Sequence, residues 1–445
     1  MESSPNDYLA TSPNGFMKIR LIDPFDRLTH LPCLTNSKFF ILMIFDNRYC
    51  LFSSLRILVS FYMRKLLFTL VIYVLPRPLG RAVVGGLTFL GMLSKKQFLG
   101  PRNLQMAIPS GCDHACEFCI TDIHGKGAPK NRQTLSFEEL TAQVDSALEI
   151  LCLNINLVST GEPTLYPKLT DLIDHIWKKS RGRATIKIVT NGTSLWKFSP
   201  EYFRDRNVVL WLSLHSGLEE NWKSIHMPLS QADEKFSRMR EWLIWYNRIA
   251  PESVTLHNVI SKQNQDYLDS ILAFARETRS RDVFFGRLYG FPHLQLSASE
   301  EKSVLEKLLR LEPSFKDLGI RTNVANFKFV AISQDEDKGA DNAKEVTEKI
   351  LSSRDFYKSH DCYITWLFST VDDTGQLLAC GKGRLIGNTR QTPYEELFLR
   401  ESPKLIEDTT NISKRGTSVP GCHCLDCPHI QMNVTANKYL RLAPF

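Results

Sequence analysis

Three cysteines, Cys112, Cys116 and Cys119, fall within eight positions of one another in the run GCDHACEFCI at 111–120. A C-x3-C-x2-C loop is long enough to curl and too short to part its thiols, so it can present three thiolates to one inorganic centre. An iron-sulfur cube usually takes four cysteine ligands. The next cysteine is Cys152, which ends an amphipathic helical pattern and reads as core. A centre held by three thiolates keeps a coordination position open, the mark of a catalytic metal rather than a structural one. Zinc is the other reading, with His114 or His124 completing a tetrahedron. A second group, Cys362, Cys380, Cys422, Cys424 and Cys427, lies near the other end of the chain. Taken alone, and with His423 and His429 beside it, that group favours zinc.

What must position the first loop is a series of short apolar segments alternating with amphipathic helices. LQMAI (104–108), INLVS (155–159), IKIVT (186–190), VVLWLSL (208–214), VTLHNVI (254–260) and VFFGRL (283–288) each predict a buried strand of a parallel sheet. Ser136 as N-cap with Glu139 three residues on predicts a capping box, followed by Leu140, Val144, Leu148 and Leu151 on one helical face. Further helices are expected over 168–179, 231–247, 265–278 and 298–311. Strand then helix, repeated, implies an α/β barrel or open α/β sheet with its chemistry at the carboxyl ends of the strands. The cysteine loop follows the first strand directly, at that end. After 311 the alternation fades into SQDEDKGADNAKEV (333–346), which reads as a solvated connector.

The 445 residues allow two or three domains, and a composition 43% hydrophobic and 23% charged is that of a folded chain. Eleven cysteines, eight of them in two groups, suit an intracellular metalloprotein better than a disulfide framework. Residues 1–100 hold twelve Lys and Arg against five Asp and Glu, which accounts for the whole net charge of +7. The same segment is strongly apolar at 54–75 and 81–93, but Arg56, Arg64, Lys65, Arg77 and Arg81 interrupt it too often for a membrane span. Two uses remain open for it: a helical cap on the main domain, or contact with a membrane surface through 38–96. MESSPNDYLA lacks the pattern of a secretory signal, so the expected location is cytoplasmic, peripheral at the membrane if that contact exists. The basic residues lie among aliphatic runs rather than the polar and aromatic groups that contact phosphates and bases, so no nucleic acid is expected as a partner. The rival class is a non-enzymatic zinc protein that binds nucleic acid or another partner through this segment.

Cys112, Cys116, Phe118 and Cys119 together resemble the C-x3-C-x-aromatic-C hallmark of the radical S-adenosylmethionine enzymes. The resemblance covers roughly 100–300. It implies that the three cysteines hold a [4Fe-4S] cluster whose open iron binds S-adenosylmethionine. In that family the second strand ends in Gly-Gly-Glu-Pro, whose glutamate receives the amino group of the cofactor's methionine part. Here STGEPTLYP supplies Gly161, Glu162 and Pro163, with Thr160 in place of the first glycine. Asn191 of TNG and Ser213 of SLH match strand ends that offer polar groups to the ribose and carboxylate. The family's arginine after the fourth strand is missing from WKSIHMP, where Lys223 or His226 stands in its place. The implied chemistry is reductive cleavage of S-adenosylmethionine to a 5′-deoxyadenosyl radical, which takes a hydrogen atom from an unactivated carbon. His257, Arg287 and Tyr289, at or after the last strands, are candidates for taking up the accompanying proton, and no catalytic base is named among them.

The second cysteine group resembles the SPASM/twitch subgroup of that family: Cys362, then Gly375 to Cys380, then LIGN at 385–388, then Cys424 to Cys427. The resemblance implies one auxiliary [4Fe-4S] cluster on Cys362, Cys380, Cys424 and Cys427, with Cys422 spare or an alternative ligand. Such a cluster would accept a second electron, which favours dehydrogenation or oxidative bond formation. The implied fold is a partial (β/α)6 TIM-like barrel with a small C-terminal twitch/SPASM-like iron-sulfur domain and a helical N-terminal extension. The expected divisions are 1–100 for the extension, 101–311 for the core barrel, 312–361 for a connector, 362–430 for the auxiliary-cluster domain and 431–445 for a tail. The implied partners are an electron donor such as flavodoxin or ferredoxin and a small-molecule or peptide substrate, the alternative activity being peptide maturation of the SPASM type.

Overall fold

The computed structural model describes residues 62–121, 133–230, 232–288, 290–324, 356–357, 359–380, 384–410, 412, 427 and 429–441. Residues 38–61, the stretch 333–346, His124, Tyr289, Cys422, His423 and Cys424 lie outside them. Met63–Phe445 is one compact unit, distinct from Met1–Tyr62.

Six parallel strands carry the fold: β1 (Asn103–Ile108), β2 (Asn154–Ser159), β3 (Thr185–Thr190), β4 (Val208–Ser213), β5 (Val254–Ile260) and β6 (Asp282–Arg287), paired in chain order. Each begins and ends within one residue of the segment its apolar pattern marks. Helices Phe137–Glu149, Leu169–Lys179, Ala232–Ile249 and Leu268–Thr278 intervene. The first starts as its sequence requires: Glu139 N donates to Ser136 Oγ at 3.1 Å, and Ser136 N donates to Glu139 Oε2 at 2.7 Å. It stops at Glu149, so Leu151 reaches the core from a left-handed residue (φ 60°) beyond the helix, not from its face.

The strands are not buried on both faces. In β3, β4 and β5 burial alternates: Ile186, Ile188, Leu210, Leu212, Leu256 and Ile260 lie in the core, while Lys187, Val189, Trp211, Ser213, His257 and Val259 stay partly exposed. The sheet is open, a partial barrel whose interior remains reachable, and the accessible face is its inner one.

Two features extend the sheet beyond the sequence reading. A second capping box, Ser297 with Glu300, starts a helix that runs past 311, over Pro313, to Asp317, and the short β7 (Arg321–Thr322) then pairs with β6. At the other edge β8 (Phe368–Val371) pairs in parallel with β1, followed by antiparallel β9 (Gln376–Leu378) and β10 (Leu385–Asn388). Arg390 fastens this edge to the first helix, donating to Glu139 Oε1 at 2.8 Å and to the Thr134 carbonyl at 2.7 Å.

At the other end of the described chain, residues 62–69 are helical and run through a π-helical segment, Leu70–Val74, into the helix Arg77–Ser94. One side packs as a cap: Val71 and Ile72 are fully buried, and Arg183 donates to the Val71 and Leu75 carbonyls at 2.8 and 2.6 Å. The other side leaves Met63, Leu66, Val74 and Leu79 exposed. Among the described residues no helix is long and apolar enough to cross a membrane.

Candidate active site

The cysteine loop leaves the carboxyl end of β1 and is tied down from both sides. Towards β2, Glu162 N donates to the Gly111 carbonyl at 2.8 Å. This approach is open only to glycine at 161, because a Cβ there would sit 2.5 Å from the Ser110 carbonyl oxygen and closer still to the Gly111 carbonyl. Towards the segment after β4, Ala115 N donates to the Met227 carbonyl at 3.1 Å and Leu229 N to the Asp113 carbonyl at 3.0 Å. Phe118 turns inward and is buried with Ile225, Leu288 and Leu294, its ring edge-on to His215 at 5.2 Å. The hallmark aromatic thus pins the loop over the ends of β5 and β6.

Asp113 is a tie that the motif does not announce. Its carboxylate accepts from Asn191 Nδ2 at 3.0 Å, Thr193 Oγ1 at 3.0 Å and Lys235 Nζ at 2.9 Å. Burial alone would raise its pKa, but His114, Lys235 and the Asn191 amide outweigh it and hold the carboxyl below the usual range. The sequence carries no local signal of this tie, since 122 residues separate Asp113 from the buried Lys235.

Glu162 is buried at 2% exposure, and its carboxylate is held by four donors. Thr164 N, Thr164 Oγ1 and Thr190 Oγ1 reach Oε1 at 2.9, 2.6 and 2.6 Å, and Asn191 N reaches Oε2 at 2.7 Å. Burial pushes its pKa up against those hydrogen bonds, so Oε2, with acceptor capacity left, is a place for an incoming ammonium. Asn191 thus serves Glu162 through its backbone and Asp113 through its side chain. Ser213 sits at the inner face of β4, in register with His257.

The loop thiols are free and partly buried. Burial, with the charges of Glu162, Asp113 and Cys119 added, pushes Cys112 up to about 11. Burial followed by the neighbouring Cys112 and Cys119 pushes Cys116 up to about 12. Thiols that resist ionisation together are held as thiolates only by a strong local cation, and an iron-sulfur centre is one. The donor set therefore fits a cluster. Zinc has a second possible site: ligand atoms of His114, Cys116 and His226 lie within 4.8 Å of one another. His226 is fully enclosed under the loop, its Nε2 3.1 Å from the Leu214 carbonyl and its Nδ1 4.0 Å from Cys116 Sγ. Lys223, by contrast, pairs with Glu219 at 3.0 Å and Glu220 at 3.7 Å on its own helix.

Beneath the loop the histidines are kept neutral. Burial, with His257 nearby, lowers His215 to about 3, and burial together with the charge of Lys187 lowers His257 to about 4. The unfolded chain therefore takes up protons below about pH 6.5 that the fold refuses, and stability falls as pH drops towards 4. Glu162, raised by burial, acts in the opposite direction. In urea titrations between pH 6 and 4.5, His257→Gln is expected to lose stability less steeply than the parent, by about 1 kcal/mol per pH unit. Parallel profiles would show that His257 is not held neutral by the fold.

In the C-terminal part, Cys362, Cys380 and Cys427 meet in one apolar cluster with Phe356, Tyr357 and Phe368. Burial, then the charges of Cys427 and Cys380, raises the Cys362 thiol. The Tyr357 hydroxyl lies 3.2 Å from Cys427 Sγ, and Asn433 Nδ2 donates to that hydroxyl at 2.9 Å.

Residues 106–275, which span most of the open α/β sheet, match the model of the Radical SAM superfamily. A search of curated proteins gives no match. Among solved structures, SuiB of Streptococcus suis bound to the precursor peptide SuiA is similar at 13% identity and a TM-score of 0.50, over 75% of this chain and 73% of that one. Native anSMEcpe with bound AdoMet is similar at 14% identity and a TM-score of 0.47, over 76% of this chain and 96% of that one. At that identity the likeness to SuiB speaks to the fold alone.

Proposed function

We propose that the chain is a radical S-adenosylmethionine enzyme in which Cys112, Cys116 and Cys119 hold a [4Fe-4S] cluster and Cys362, Cys380, Cys424 and Cys427 hold an auxiliary one. With its cofactors bound, such a site supplies a 5′-deoxyadenosyl radical and a second electron acceptor, which suits dehydrogenation or oxidative bond formation. The observation that carries the reading is the closure of Gly111 on Glu162, which joins a three-thiol loop to a buried carboxylate. Glu162 receives the methionine ammonium, the strand-end residues Asn191 and Ser213 line the same rim, and Phe118 keeps the loop seated. The electrons come from a donor of the flavodoxin or ferredoxin kind. The exposed apolar residues of 63–79, with Arg64, Lys65 and Arg77 among them, suit contact with an anionic membrane surface.

The test is anaerobic reconstitution of the full chain. The parent is expected to bind iron and sulfide and to release 5′-deoxyadenosine under reduction. Cys362→Ser with Cys427→Ser should lower bound iron by about half while reductive cleavage of S-adenosylmethionine continues. Unchanged iron would remove the auxiliary cluster, and uptake of zinc alone would favour the zinc protein instead.

A further inference from the structure

On the inner face of the sheet four side chains stand side by side on successive strands: Lys187 on β3, Trp211 on β4, His257 on β5 and Phe284 on β6. Lys187 Nζ lies 4.3 Å from the centre of the Trp211 ring. That ring stacks on His257 at 5.2 Å and lies 5.3 Å from Phe284. Gly286 leaves room beside them, since a Cβ there would come within 3.3 Å of His257 Nε2.

No carboxylate among the described residues pairs with Lys187. Burial lowers its pKa to about 8, and its charge is felt at His257. An aromatic face only partly replaces lost hydration for an ammonium, and charged groups in such places ordinarily have an anion. Two other polar groups in the cross-strand row that holds Lys187 lack partners too. Asn156, opposite Lys187 on β2, is 7% exposed and its Oδ1 has no hydrogen-bond partner. Thr370 on β8, opposite Gln105 on β1, is 5% exposed and its Oγ1 likewise has none. Polar groups buried in this state are rare in finished interiors and common where a ligand completes them.

Lys187 precedes Thr190, whose hydroxyl holds Glu162, by three residues, a rise of about 10 Å along a strand. A molecule held at Lys187 would therefore lie inside the barrel, below the rim where the cofactor is proposed to sit. We propose that Lys187, set over Trp211 and beside Asn156 and His257, is the anchor for an anionic group of the substrate, a carboxylate or a phosphate. The proposal rests on the enzyme reading above in calling the ligand a substrate, but its test needs no turnover.

Acylation of a lysine requires the free amine, and at pH 8 an anion held by the ammonium lowers that fraction about fivefold for the first pKa unit it adds and about tenfold for each further one. The full chain is treated with acetic anhydride at pH 8, alone and with inorganic phosphate, succinate or S-adenosylmethionine, and acetylation at Lys187 is read by mass spectrometry. Phosphate or succinate is expected to slow it about tenfold or more, and whichever protects names the group. Lys187→Met should abolish binding of that anion in calorimetry while thermal stability is kept. Equal acylation with and without both anions overturns the proposal, as does protection by S-adenosylmethionine alone, which would give the lysine to the cofactor. Absence of an iron-sulfur cluster in the parent would defeat the enzyme reading and leave the anion result standing.

Discussion

Replacing Cys112, Cys116 and Cys119 together by alanine is expected to abolish iron uptake at the loop. Formation of 5′-deoxyadenosine should fall to the level of reductant without protein, at least about a thousandfold, or about 4 kcal/mol of lost transition-state stabilisation. The fold should survive, because the loop is seated by Phe118, Asp113 and backbone bonds to Met227 and Glu162, none of which needs a thiol. Circular dichroism and the unfolding midpoint check that point. The double change Cys112→Ala with Cys119→Ala separates the two metals. A zinc site on His114, Cys116 and His226 keeps all its ligands in that variant and would still bind zinc, whereas a cluster reduced to one thiolate is lost. Retention of reductive cleavage by the triple variant would sink the assignment of the site.

The six core strands and the first helix were legible because their signals are local: apolar alternation, a capping box, a turn at each strand end. The cysteine loop and Glu162 were legible as chemistry because their residue types sit at strand ends. Contacts made between distant parts of the chain were not. Nothing in FSTV at 368–371 marks it as the strand that lies beside β1 rather than part of a detached module; only the pairing of Asn103 with Phe368 does so. The same holds for Lys235 beneath Asp113, and for Lys187, which reads as one polar residue in an apolar strand until the Trp211 ring of β4 stands next to it. The helix expected over 298–311 shows a different failure: it runs on across Pro313 to Asp317.

Gly161→Ala is expected to cost much for its size. The added methyl meets main-chain carbonyls at Ser110 and Gly111, which cannot rotate away as a flexible side chain would, so either the end of β2 or the cysteine loop must move. Overpacking of this kind costs about 1–3 kcal/mol of stability, which the large core of the sheet can absorb. The site cannot absorb it equally well. The Glu162-to-Gly111 hydrogen bond sets the spacing between the carboxylate and the thiols, and a displacement of about 1 Å at a reacting centre can lower a rate about a hundredfold. Gly161→Ala should therefore remain folded, bind less iron on reconstitution and lose about two orders of magnitude in 5′-deoxyadenosine formation. Gly85→Ala is the matched control, because a methyl there meets nothing within 4 Å in the middle of the helix Arg77–Ser94. It should raise stability by about 0.5–1 kcal/mol and leave iron and activity unchanged. If the two alanine variants behave alike, the close approach at Gly161 does not govern the site, and the geometry joining loop and carboxylate is not what tunes it.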